Sequence, residues 1–95
     1  MNLPAFKILE DGEDVILIRD MSNVVIAPSI TNAAEIVVEQ IYGMGILGYK
    51  RLFYIDTMGG VDELLHNDRG VFMGFKYGFQ SEDDFRKQWF NIKKG

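Results

Sequence analysis

The chain contains no cysteine, one histidine, one tryptophan and two prolines. Without cysteine there is no disulfide framework and no thiolate chemistry, and a reducing compartment suits such a sequence. A single histidine rules out paired-histidine zinc motifs within one chain. No apolar run is long enough to span a bilayer: the longest apolar region, Ala33 to Leu47, is interrupted by Glu35, Glu39 and Gln40. Met1-Asn2-Leu3-Pro4 has neither the basic nor the apolar region of a secretory signal. These features make the cytoplasm the expected location, with no membrane partner and no cofactor.

At 95 residues, 47% of them hydrophobic and 13% aromatic, the sequence reads as a single globular domain over 1–95. The net charge of −4 is uneven. Met1 to Gly48 carries two basic residues (Lys7 and Arg19) against seven acids, whereas Tyr49 to Gly95 carries eight basic against seven acidic residues. An acidic protein repels the phosphate backbone on average, which disfavours nonspecific nucleic-acid binding.

The stretch from Leu52 to Phe79 holds six of the twelve aromatic rings and organises the reading. From Val71 onward Val71, Met73, Phe75, Tyr77 and Phe79 alternate with Phe72, Gly74, Lys76 and Gly78, which is the period of a strand. Val61 to His66 alternates less cleanly. Met58-Gly59-Gly60 and Asn67-Asp68-Arg69-Gly70 carry turn chemistry, so an antiparallel three-stranded meander is expected. Upstream, Ala5–Leu9 and Val15–Ile18 flank an Asp-Gly turn, and Val15–Ile18 reads as a strand buried on both faces. Val24–Ala27 is a short third strand, ended by Pro28.

Two helices follow from periodicity and caps. Thr31 or Asn32 is the expected cap of the first, with Ala34, Val37, Val38 and Ile41 on one stripe. Gly43, Gly45 and Gly48 end it. Together with Met44, Ile46 and Leu47 they spell G-x-G-x-x-G, but the dinucleotide fingerprint requires a strand before and a helix after, the reverse of this order. Ser81 caps the second helix, whose first turn holds Glu82, Asp83 and Asp84 and whose last holds Lys93 and Lys94. Phe85, Trp89 and Ile92 share its sheet-facing side. The fold class expected is α+β: an antiparallel sheet of five to six strands, made of N-terminal hairpins and the meander, with one central and one C-terminal helix.

Three functional readings follow. The first is a small non-enzymatic interaction module, of the kind found among bacterial or phage accessory and inhibitory proteins, that binds a protein partner or itself as a homodimer. It would use an aromatic surface of Phe72, Tyr77, Trp89, Phe90 and Tyr54, since exposed aromatics suit interface cores. The second is a single-stranded nucleic-acid binder using Arg69, Phe72, Lys76 and Tyr77. The segment Arg69–Phe75 resembles a ribonucleoprotein strand motif, in which rings stack on bases, though its glycines and aromatics depart from that spacing. The third is a small metal-assisted enzyme at Asp56, Asp62 and His66, whose oxygen-rich set suits a hard cation. None of Ser22, Ser29 and Ser81 sits in a nucleophile-elbow context, which disfavours a hydrolase.

Overall fold

A computed structural model describes residues 6–21 and 30–94. The element order is β1 (Phe6–Asp11), β2 (Val15–Asp20), α1 (Ile30–Gly43), β3 (Arg51–Ile55), β4 (Gly60–His66), β5 (Phe72–Phe75), β6 (Gln80–Ser81) and α2 (Glu82–Lys94). The strand expected at Val24–Ala27 lies outside the described residues. The six strands form one sheet in the order β1-β2-β3-β4-β5, with β6 also paired to β4. The α+β class and both helices agree with the expectation from sequence. The sheet is mixed, however, rather than antiparallel, because β2 and β3 run parallel, Val15 beside Arg51 through Arg19 beside Ile55. A parallel pair needs a crossover, and α1 supplies it.

Alternation along the central strands divides the core into two layers. Ile16 and Ile18 of β2, Leu52 and Tyr54 of β3, and Leu64 of β4 meet Ala34, Val37, Val38 and Ile41 of α1. Val15, Leu17, Phe53, Ile55 and Val61 point the other way and meet Phe85 and Trp89 of α2. Both faces of β2 and β3 are thus covered, which is why Val15–Ile18 can be apolar without a break. Thr31 and Asn32, expected as caps, lie within the first turn of α1, which begins by Ile30. Ser81 does cap α2, its hydroxyl accepting the Asp84 N–H at 3.2 Å. No described helix is long and apolar enough to cross a membrane.

The expected long strand from Val71 to Phe79 is broken. Only Phe72–Phe75 pairs as β5, and the chain bends at Lys76–Phe79 before β6 begins. Val71 and Met73 are exposed instead of sharing a buried face with Phe75 and Phe79. The sheet's two edges are both irregular. Pairing shifts between Ile8 and Glu10 in β1 and between Leu65 and His66 opposite β5, where Gly74 has φ +127°. Irregular edges discourage strand addition from another chain.

The β4–β5 turn is closed by Asn67, whose side-chain oxygen accepts the N–H groups of Arg69 and Val71 at 2.9 and 3.0 Å. Gly70 sits there at φ +76°, and a Cβ at this position would lie 2.6 Å from Tyr42 Cβ and overlap the ring. Gly70→Ala is therefore expected to destabilise by about 2 kcal/mol, from left-handed strain plus the collision. Adding Tyr42→Ala should recover the collision share but not the strain, as read in a double-mutant cycle of urea midpoints.

Candidate interaction surface

The three groups of the metal reading do not converge. Asp56 closes the β3–β4 turn, one oxygen accepting the N–H groups of Met58 and Gly60, each at 2.8 Å. Asp62 is buried, and its carboxylate accepts four backbone N–H groups: Glu63 at 2.7 Å, Tyr77 at 2.8 Å, Gly78 at 2.8 Å and Phe79 at 3.1 Å. His66 stands at the far end of β4, four residues or roughly 13 Å from Asp62 along the strand. Its Nδ1 lies 3.1 Å from the Asn67 carbonyl and its Nε2 2.9 Å from that of Lys50. Among the described residues no group of three or more His, Cys, Asp or Glu side chains is placed to hold a metal ion.

The nucleic-acid set is divided as well. Phe72 packs against the α1-side core, its ring 4.9 Å from that of Phe75. Lys76 stands on the other side of the sheet, its Nζ 3.8 Å from Glu63. Tyr77 is there too, its hydroxyl accepting from Arg51 Nη2 at 3.4 Å, while Arg69 sits on the β4–β5 turn. On that side Lys76 lies over the Tyr77 ring at 5.3 Å, whereas Phe72 lies on the opposite face, so the four residues do not form one base-binding surface.

The aromatic partner surface needs correction at two residues. Tyr54 is 1% exposed, on the middle strand beneath α1, and donates its hydroxyl proton to Asp20 at 2.6 Å. Burial, reinforced by Asp20 and Asp56, pushes this phenol well above its ordinary range. Trp89 is 5% exposed, wedged edge-on against Phe53 at 5.2 Å, with its indole N–H donating to Glu10 at 3.2 Å. Neither can face a partner, because both fill gaps between helix and sheet. Phe72 is half-buried. Tyr77 and Phe90 are exposed, and Lys94 lies over the Phe90 ring at 4.8 Å.

The exposed apolar side chains are unevenly placed. Six of the eleven large ones exposed among the described residues gather at one end of the sheet. Tyr42 and Met44 belong to the end of α1, Tyr49 to the loop before β3, Leu65 to the last turn of pairing in β4, and Val71 and Met73 to the start of β5. Tyr77 stands further along β4, opposite Asp62, and only its hydroxyl reaches toward this end, at Arg51. Tyr49 is the extreme case, 94% exposed. It projects between two hollows, one of about 210 Å³ bounded by Arg51, Leu65 and His66, the other of about 500 Å³ bounded by Glu13, Asp14 and Ile46.

The Tyr49 loop is nonetheless pinned. Leu47 is buried in the α1-side core. The Lys50 N–H donates to the Leu47 carbonyl at 2.9 Å, its Nζ pairs with Asp11 at 2.7 Å, and the Arg51 N–H donates to the Asp14 carbonyl at 2.9 Å. Arg51 then forks onto the buried Glu63 carboxylate at 2.6 and 3.1 Å. That bond raises the guanidinium further above its ordinary range, against the opposing effect of burial. At the opposite end Arg19 holds Glu82 below the usual carboxylate range through a 2.7 Å hydrogen bond. Comparison with protein-family models, curated proteins and solved structures finds no match.

The partner surface read from the sequence left out Tyr42, Met44, Leu65, Val71 and Met73. Their common feature is the end of the sheet on which they fall, which depends on strand order. Two outcomes test the polar groups described above. Asp62→Asn is expected to lower stability by about 3 kcal/mol, since an amide removes charge and sets an N–H donor against other donors. Urea melts read the loss, and faster hydrogen exchange at Tyr77, Gly78 and Phe79 locates it. For Tyr54 the folded pKa lies above the unfolded one, so the folded state retains a proton that the unfolded state releases. Its contribution is fully present below about pH 10 and is lost as pH rises further, by up to about 1.4 kcal/mol per pH unit. Denaturation between pH 8 and about pH 11 should show a shallower alkaline decline for Tyr54→Phe than for the unmodified chain.

Proposed function

We propose that the protein is a non-enzymatic interaction module that binds a protein through the Tyr49 end of its sheet. The observation that carries this reading is the gathering of exposed Tyr, Met, Leu and Val side chains at that end, around a tyrosine held out by a pinned loop. Clustered exposed apolar side chains mark interaction sites more often than single ones do. A tyrosine on an already ordered loop loses little conformational freedom on docking, and tyrosine is favoured at the centres of interfaces. Met44 and Met73 add adaptable apolar contact beside it. Of the aromatic surface expected from sequence, Tyr77 touches this end through its hydroxyl's contact with Arg51, while Phe90 stands on the outer side of α2.

A photo-crosslinking side chain placed at Tyr49, and separately at Phe90, tests the reading in intact cells. Position 49 is expected to give a covalent protein adduct, either a second copy or a different protein, and position 90 none. No adduct at 49, or equal adducts at both, overturns the proposal. Tyr49→Ala should leave the urea midpoint unchanged within about 0.5 kcal/mol, as befits an exposed side chain.

A further inference from the structure

We infer that the protein docked at the Tyr49 end is a second copy of this chain, placed end to end about a two-fold axis normal to the sheet. The inference rests on the reading of that end as the interaction surface, and it follows from how charge is laid out across the sheet.

Three connections open at this end: the β1–β2 turn, the loop before β3 and the β4–β5 turn. In the order β1-β2-β3-β4-β5 the first turn spans the first gap, the loop meets the middle strand, and the last turn spans the last gap. With strands about 4.8 Å apart, each turn lies about 7 Å to one side of β3. Tyr49 therefore stands at the midpoint.

The two sides differ in charge. On the β1–β2 side Glu13 and Asp14 are exposed and form no ion pair among the described residues, while the neighbouring Asp11 is neutralised by Lys50. On the β4–β5 side Lys76, and Arg51 leaning over from β3, share the single carboxylate of Glu63. On the turn Asp68 and Arg69 are both exposed and neither makes an ion pair among the described residues, so the excess of this side comes from Arg51 and Lys76 over Glu63. One side is acidic and the other carries an excess of cations.

Two copies meeting end to end are related by a two-fold axis lying in their interface, and two orientations are open. An axis running along the sheet's width sets each turn against its own copy, acid facing acid. An axis normal to the sheet exchanges the turns, so that Arg69 of each copy faces Glu13 and Asp14 of the other, and Tyr49 meets its counterpart on the axis. Only the second arrangement is self-complementary in charge, as an isologous interface requires. Pairing through the sheet edges is the competing route to a dimer, and the irregular pairing of β1 and the left-handed Gly74 of β5 oppose it.

Reciprocal charge reversal tests this. Sedimentation equilibrium on the unmodified chain is expected to show a dimer. Arg69→Glu alone, and Glu13→Lys with Asp14→Lys in one chain, should each weaken self-association at least about tenfold, because like charges then face each other at both symmetry-related contacts. Mixing the two variants should restore a heterodimer as tight as the original, since every contact again pairs opposite charges. All three positions are exposed, and thermal melts establish that each variant is folded. A monomeric unmodified chain overturns the inference, as does a dimer indifferent to the reversals or a mixture that stays monomeric. A monomer whose Tyr49 crosslinks to a different protein removes the second copy while leaving the interaction reading standing.

Discussion

The buried carboxylate of Asp62 holds the C-terminal half of the fold in place. A carboxylate taken out of water is costly unless every oxygen is satisfied. Here four backbone N–H groups point at it, three of them from the consecutive residues Tyr77, Gly78 and Phe79. Those bonds hold a bend in which Gly78 and Phe79 both have positive φ, at 82° and 65°. For phenylalanine that conformation is strained, and the ring's packing 5.0 Å from Phe75 helps to offset it. The bend ends β5, turns the chain back onto β4 as β6, and sends α2 to the face opposite α1. Without it Phe85 and Trp89 would have no fixed route to Phe53.

The second organising feature is the parallel pairing of β2 with β3. It places α1 across one face and leaves the other for α2, so that the two middle strands contribute to both layers. It also sets the order of connections at each end. The interaction surface and its charge layout are consequences of that order rather than of any local motif.

The fold was legible where local physics decides it. The turns at Asn67–Gly70 and Met58–Gly60, the Ser81 cap and the Phe85–Trp89–Ile92 face are specified by near neighbours, and the structure has them. Val15–Ile18 read as buried on both faces, which is how a parallel central strand looks, yet apolar continuity alone does not distinguish a parallel neighbour from an antiparallel one. The Val71–Phe79 alternation misled because its continuation is overridden by Asp62, a residue from another strand whose partners sequence cannot display. Tyr54 was assigned to the partner surface, and Trp89 both to that surface and to the sheet-facing side of α2, because aromatic residues suit both interfaces and cores. Which of the two applies depends on where the helices land. For the candidate site, the residue types were readable and their grouping was not, since Tyr49, Leu65 and Met73 become neighbours only after the strands are ordered.

The position of α2 in the chain has a consequence for synthesis. It lies downstream of every strand it covers, so Leu17, Phe53 and Ile55 are synthesised before their cover. Until α2 docks, the side of the sheet that it covers is a bare apolar wall, the kind of transient surface that draws chaperones or aggregates. The helix that seals it is tethered directly to the sheet: β6 ends at Ser81 and α2 begins at Glu82. Closure is thus a short swing from an anchored hinge rather than a search by a free segment, which shortens the time the wall is open.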